Sequence, residues 1–212
     1  MNTLIQCDFD GTITELDASF LILEEFAGRD WHQVLQEHRE HKITVGEFNA
    51  RAFAMVKVNQ KTLLDTIMKK VRLRAGFSEF VDYCSKRDFK LVIISNGLDF
   101  YIQALLDFYN LGGVEWHAAR TCFKDSDMEV QYIGPDGKLL DDAFKEAYIQ
   151  SFLIQNYNVI YVGNGDSDIA PAKQAQYVFA REELLSYYEE NGLKYEPFED
   201  FTDIIRKMEL LQ

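Results

Sequence analysis

The spacing of apolar and polar positions changes along the chain, and the changes mark out its elements. An apolar run begins at Leu4 and ends in Asp8-Phe9-Asp10, closed by Gly11-Thr12. A short apolar run bounded by a turn signal reads as a buried strand, and Gly11 permits the sharp turn after it. From Thr14 onward the pattern is helical. A first helix starts at Asp17-Ala18-Ser19, carries Phe20, Leu21, Leu23 and Phe26, and stops at Gly28. Trp31, Val34 and Leu35 mark a second helix with a polar end. Thr44 and Glu47 form a capping box for a third, with Phe48, Phe53 and Val56. A fourth begins at Gln60-Lys61 and carries Leu63, Leu64, Ile67, Met68 and Val71. Four short helices with no strand between them read as a lid inserted after the first strand.

Strand and helix patterns alternate after Gly76. Phe77, Phe80, Val81 and Tyr83-Cys84 have helical spacing. Phe89 to Ile94 is the continuous apolar run expected of a central parallel strand. It leads into Ser95-Asn96-Gly97 and a helix from Asp99 through Leu106. Residues Gly113 to Leu140 are less regular, with short strands expected at Glu115 to Ala119 and Met128 to Ile133 and a turn at Pro135-Asp136-Gly137. Asp141-Asp142 are expected to cap a helix through Phe144, Ala147, Tyr148 and Phe152. Asn158 to Val162 is the next buried strand, followed by Gly163-Asn164-Gly165-Asp166-Ser167-Asp168 and a helix opened by Ile169 and Pro171. Tyr177 to Ala180 reads as the last strand, and Glu196-Pro197 as a turn in a helical tail. The pattern predicts an α/β fold with a parallel sheet.

Composition narrows the partners. With 212 residues the chain holds one domain and a small insert. A formal charge of −13 disfavours nucleic acid and anionic membranes. Cys7, Cys84 and Cys122 are scattered, with no C-x-x-C pair, so neither a zinc site nor a disulfide framework is expected. No apolar run approaches the length of a membrane span and no signal segment is present, so a cytoplasmic location is expected.

Candidate chemistry collects at strand ends. Asp8 and Asp10, two carboxylates at i and i+2, cannot both sit ionised and dry; they need a cation, a shared proton or water. At the carboxyl end of a parallel strand they face the ligand crevice. Ser95-Asn96-Gly97 before a helix N-terminus is an anion-binding arrangement, equally a plain βα turn. Lys145, in the first turn of its helix, suits a bound phosphate if its side chain reaches back toward the sheet. His117 is expected to be structural or exposed. Asp8/Asp10, Ser95, Lys145 and Asn164 to Asp168 should all fall at one edge of one sheet.

DFDGT after an apolar strand resembles the first motif of the haloacid-dehalogenase superfamily, and the later clusters follow the order of its other motifs. The resemblance implies a Rossmann-like core over 1–13 and 75–212 with a helical-bundle cap over 14–74, similar to the phosphoserine-phosphatase-like subfamily. DFDGTIT, the spacing from Lys145 to the metal loop, QYVFAREELL and YEPFEDF look most like the 2-hydroxy-3-keto-5-methylthiopentenyl-1-phosphate phosphatases of methionine salvage. The implied activity is hydrolysis of a small phosphorylated metabolite through an aspartyl phosphate. Asp8 would be the nucleophile and Asp10 the general acid and base. Ser95, Asn96 and Lys145 would grip the phosphate. Mg²⁺ would sit on Asp8, the Asp10 carbonyl and Asn164, with Asp168 beside it. The fourth motif admits two registers: Gly163-Asn164 with Asp168, or Gly165-Asp166. The first is preferred because Lys145 lies nineteen residues before Asn164. Asp17 stands where phosphoserine phosphatases hold the substrate amine, although an exposed helix cap explains it equally well. Arg51 is the only cation near the position of their cap arginine. The alternatives are a phosphoserine or other phosphometabolite phosphatase, a weakly active phosphate-binding module, and a phosphotransferase. Leaving group and oligomeric state are not readable.

Overall fold

The computed structural model describes residues 2–210. Its centre is β1 (Thr3–Cys7), whose last four residues are fully buried. β1 lies between β2 (Lys90–Leu98) and β6 (Asn158–Gly163), both parallel to it. Beyond β6 come β7 (Tyr177–Ala180) and β8 (Glu196–Pro197); beyond β2 come β3 (Glu115–Lys124), β4 (Asp127–Ile133) and β5 (Leu139–Leu140). The order β5-β4-β3-β2-β1-β6-β7-β8 is parallel from β3 to β8, with β4 and β5 antiparallel at one edge. The chain leaves β1 toward β2 on one side and returns to β6 on the other. A crevice forms at such a switch point, at the carboxyl ends of the strands.

The expected α/β fold with a helical insert is what forms. α1 (Ala18–Phe26), α2 (Trp31–Arg39), α3 (Val45–Phe53) and α4 (Gln60–Lys70) follow β1 without an intervening strand. Asp17 caps α1, accepting from the Phe20 N–H at 2.8 Å. Thr44 and Glu47 make the capping box of α3 reciprocally. The main-chain helices are α5 (Phe77–Lys86), α6 (Asp99–Phe108), α7 (Phe144–Ile154), α8 (Ile169–Ala172), α9 (Glu182–Glu190) and α10 (Phe201–Leu210). Phe201 of α10 seats its ring against Phe77 and Phe80 of α5 at 4.9 and 5.2 Å, closing the core on that side. His117 packs on Tyr148 and pairs with Glu115, a structural role.

Three boundaries differ from the sequence reading. Asp141-Asp142 do not cap α7: the helix begins at Phe144 behind Ala143, whose φ is 55°. The Asp141 backbone is packed against the insert there: a Cβ on Gly46 would lie 2.5 Å from the Asp141 carbonyl oxygen. β2 does not end at Ile94. Its pairing with β3 shifts register between Ile94 and Leu98, so Ser95-Asn96-Gly97 forms an irregularity inside the strand. Glu196-Pro197 is not a free turn but a two-residue edge strand beside β7.

One residue staples the insert to the sheet. Arg74 donates from Nε to the Thr12 carbonyl at 2.8 Å, and from Nη2 to the carbonyls of Gly11 and Thr14 at 2.8 and 3.0 Å. Its own N–H bonds the Ile13 carbonyl, and Thr14 bridges Leu73. The two crossings between core and insert are thereby joined beneath the Asp8–Asp10 loop. A hydrogen bond from a charged donor contributes about 1.5–3 kcal/mol, and this site needs a planar fork. Arg74→Met is expected to lower stability by about 2–4 kcal/mol in urea denaturation, with Arg74→Lys recovering less than half. Full recovery by lysine would show that the fork geometry is irrelevant.

Candidate active site

The site begins where β1 runs out. The Asp8 N–H makes the last ladder bond, to the Val162 carbonyl at 2.9 Å, and leaves the side chain at the sheet edge, 4% exposed. Lys145 reaches back from α7, as its position allowed. Its Nζ donates to Asp8 Oδ1 and Asp168 Oδ1, each at 2.6 Å, and more loosely to Ser167 Oγ at 3.3 Å. Burial pushes the Asp8 carboxyl up to about 7, and the nearby Asp168 carboxylate adds to this against the pull of Lys145. Burial also works against the Lys145 ammonium, but its two carboxylates outweigh that and hold it charged. Two buried acids thus share one cation, and the local charge balance remains negative.

Lys145 is itself held in place. Gln6, buried inside β1, donates to the Lys145 backbone carbonyl at 3.0 Å. Asp168 is fully engaged. Oδ1 accepts from Lys145 and from the Tyr161 hydroxyl at 2.7 Å, and Oδ2 from the N–H groups of Asn164 and Gly165 at 2.9 and 3.0 Å. These four hydrogen bonds take up about the four acceptor positions of a carboxylate, and through them Asp168 braces the loop after β6.

Gly11 turns the chain with φ +76°, and a Cβ there would lie 2.5 Å from Asn164 Nδ2. That close approach places Asn164 beside the Asp8–Asp10 loop. Its Oδ1 accepts from Thr12 Oγ1 at 2.9 Å and its Nδ2 donates to Glu182 Oε2 at 2.7 Å. Asp166 is exposed, one turn farther on.

Asp10 is held by both halves of the molecule. Ala18 N–H of the insert donates to Oδ1 at 3.0 Å, and the Tyr101 hydroxyl of α6 makes a very short bond to Oδ2. Ser19 Oγ meets the same hydroxyl at 2.8 Å. Burial and the charge of Asp17 hold the Asp10 carboxyl well above the usual range, opposed by the Tyr101 bond. A side chain at Gly97 would collide with Asp10 and Tyr101, so the residue must be glycine. Ser95 Oγ accepts from the Gly97 N–H at 3.0 Å and is buried at the crevice floor.

These residues line one cavity of about 980 Å³ between sheet edge and insert. Asp8, Asp10, Ser95, Asn96, Lys145, Asn164 and Asp168 all reach it, and so does Asp17. Arg51 does not. It makes a two-pronged pair with Glu37 at 2.6 and 3.1 Å on the outer face of the insert, because its place in the last turn of α3 turns it toward α2. Local pattern does not announce Gln6, Tyr101, Tyr161 or Glu182. Each reads locally as core or as helix surface, and only the three-dimensional pairing reveals it.

Among the described residues no three His, Cys, Asp or Glu side chains converge as a metal cage. The oxygens that remain are of another kind. Among the described residues the Asp10 carbonyl accepts no hydrogen bond and Asn164 Oδ1 accepts one, and the Asp8 carboxylate lines the cavity beside them. An all-oxygen set beside a negative charge balance fits a hard divalent cation.

Residues 5–173 match the family model of haloacid dehalogenase-like hydrolase. A 2-hydroxy-3-keto-5-methylthiopentenyl-1-phosphate phosphatase from Geobacillus kaustophilus (strain HTA426) is 32% identical over 215 residues, covering 97% of this chain and 95% of its own. The protein of the same name from Brevibacillus brevis (strain 47 / JCM 6285 / NBRC 100599) is 30% identical over 210 residues, covering 97% and 95%. Two solved structures share the fold. A phospho-aspartyl intermediate analogue of phosphoserine phosphatase has TM-score 0.72 at 19% identity, covering 97% of this chain and 98% of that one. A substrate-bound phosphoserine phosphatase complex has TM-score 0.72 at 18% identity, covering 98% of each. With its first motif at the switch point of the sheet and a family match spanning most of its length, the chain belongs to the haloacid dehalogenase-like hydrolases.

Proposed function

We propose that this phosphatase hydrolyses a small phosphomonoester in two steps through an aspartyl phosphate on Asp8, with Mg²⁺ as cofactor. The observation that carries the reading is the placement of one carboxylate: Lys145 fixes Asp8 Oδ1 at the edge of the cavity that Asp8 lines. Asp8 Oδ2 attacks phosphorus as the ester oxygen departs. Asp10, whose burial favours the protonated form, gives that oxygen its proton. It then takes a proton from the water that attacks the acyl phosphate, releasing inorganic phosphate and restoring Asp8. Ser95 and the loop around Asn96 bind the phosphoryl oxygens, and Lys145 contributes positive charge beside them. The Asp8 carboxylate, the Asp10 carbonyl and Asn164 Oδ1 would hold Mg²⁺, which supplies charge neutralisation at the phosphoryl group. Three unpaired cysteines, one of them exposed, suit a reducing compartment and a cytoplasmic role.

The full-length likeness to methylthiopentenyl-phosphate phosphatases supports a substrate of that type. Phosphoserine is disfavoured because Arg51, the candidate for its carboxylate, is engaged by Glu37 away from the cavity.

Asp8→Asn, nearly isosteric but unable to form an acyl phosphate, is expected to abolish phosphate release while the circular dichroism spectrum stays that of wild type. Wild-type turnover in a clean preparation would remove Asp8 as nucleophile. Asp10→Asn is expected to lose about 10²–10⁴-fold on an alkyl phosphate and distinctly less on p-nitrophenyl phosphate, whose leaving group needs no proton. Equal losses would exclude Asp10 as the general acid.

The metal site yields a separate expectation. Asn164→Asp alone would set a carboxylate against Glu182 Oε2, the present partner of the amide. Asn164→Asp combined with Glu182→Gln exchanges the two groups and adds a charged ligand next to Asp8. Titration calorimetry is expected to show Mg²⁺ binding several-fold more tightly to the double variant than to wild type, and Asp166→Ala unchanged. If Asp166→Ala abolishes binding and the double variant matches wild type, the loop uses the Gly165-Asp166 register.

A further inference from the structure

Tyr101 is fully buried and does not line the cavity, but its hydroxyl bonds two residues that do, Asp10 and Ser19. Its ring packs against Phe9 and Phe100, with centroids 6.4 and 5.5 Å away. A Cβ on Gly97 would strike both the Tyr101 hydroxyl and Asp10 Oδ2, so the backbone of β2 lies directly against their bond. That side of the pair is closed to water.

The hydrogens can be assigned from chemistry. A phenol carries one hydrogen, and an ionised carboxylate only accepts. The hydrogen of Tyr101 therefore goes to Asp10 Oδ2. The Ser19 hydroxyl, 2.8 Å from the phenol oxygen, is then the donor between those two. The donors run in one direction, from Ser19 to Tyr101 to Asp10. Ala18 N–H reaches the other carboxyl oxygen at 3.0 Å. Both groups bonded to the Asp10 carboxyl are thus donors, and neither is a cation. Hydrogen bonds to an ionised acceptor are roughly twice as strong as neutral ones. Donors fixed in advance count most for charge that develops where water is excluded. This chain does little for a neutral Asp10 and much for the carboxylate it becomes on giving up a proton.

We propose that Tyr101, backed by Ser19, is a positioning residue for the acid: it fixes the orientation of Asp10 Oδ2 and stabilises the carboxylate formed as the leaving group departs. In that step the bond from Asp8 to phosphorus forms while the bond from phosphorus to the ester oxygen breaks. The ester oxygen takes the proton of Asp10, and the electron pair of that O–H bond stays on Asp10. This inference rests on the phosphatase reading.

The test compares kcat/KM, which reports the step of leaving-group departure, for hexyl phosphate and p-nitrophenyl phosphate with Mg²⁺ present. Only the first leaving group needs a proton. Tyr101→Phe keeps the ring and removes the hydroxyl. It is expected to lose about 10–100-fold on hexyl phosphate and to stay close to wild type on p-nitrophenyl phosphate. Ser19→Ala is expected to lose several-fold on hexyl phosphate alone. Added to Tyr101→Phe it is expected to cost nothing further, because it acts through the phenol. A phenol that merely packs would leave both substrates unchanged or lower them equally, and either result in Tyr101→Phe overturns the proposal. A full additional loss from Ser19→Ala in the Tyr101→Phe background overturns the chain of donors. If Tyr101→Phe does not fold, Ser19→Ala decides: equal losses on the two substrates, or none, overturn the proposal. Asp10→Asn sensitive to the leaving group beside an insensitive Tyr101→Phe overturns this inference alone. Wild type releasing phosphate from neither ester overturns the phosphatase reading and this inference with it.

Discussion

The ammonium of Lys145, buried between the carboxylates of Asp8 and Asp168, is the contact on which the rest of the site depends. Removing water from three charges is expensive, several kcal/mol per ion even after relaxation. The arrangement persists because the groups around Asp168 and Lys145 are satisfied: Asp168 by a phenol and two backbone N–H groups, Lys145 by two carboxylates and a serine. Deleting one partner would strand the others, at about 3–5 kcal/mol. The same three charges tie α7, β1 and the loop after β6 into a single edge. A salt bridge of this kind gives little net stability, and its use here is geometric. One oxygen of Asp8 is pinned so that the other has one place to be.

The insert completes the chemistry as well as covering it. Asp10 receives one hydrogen bond from the core, through Tyr101, and one from the insert, through Ala18. Ser19 then joins the insert to the same phenol. Any opening of the cavity that moves α1 away therefore exposes the carboxyl of Asp10 to water and removes a donor at the same time. The position of the insert and the hydrogen bonding of Asp10 are coupled, while Arg74 keeps the two linkers fixed to the loop they flank. Only the far parts of the insert are free of that constraint.

Much of this was legible in the chain. Parallel strands buried on both faces are continuous apolar runs, so Leu4 to Cys7, Phe89 to Ile94 and Asn158 to Val162 stand out, and polar residues at their ends must lie at the sheet edge. What escaped notice depends on distant pairing. Gln6 and Lys145 are 139 residues apart, and Asp10 and Tyr101 are 91 apart. Nothing local distinguishes Tyr101 or Tyr161 from an ordinary core aromatic. Arg51 misled because its sequence position was meaningful only under an alignment, whereas its direction is set by Glu37 one helix away. The start of α7 was not legible because the left-handed Ala143 separates the two aspartates from the helix, in a segment packed against Gly46 from another part of the chain.

The surroundings of Asn164 give a physical reason for an amide rather than a carboxylate at this place. An aspartate there would face Glu182 at hydrogen-bond distance, in a region where Asp8 and Asp168 already outnumber Lys145. The amide turns that repulsion into a bond. Glu182 cannot easily withdraw: it holds a left-handed φ of 50°, rare for a residue with a side chain. Its neighbours anchor the segment, Arg181 through its N–H to the Gly163 carbonyl and Leu184 through its N–H to the Asn164 carbonyl. α9 is therefore docked directly on the loop after β6, and its first carboxylate belongs to the electrostatics of the site, orienting the Asn164 amide from a helix end.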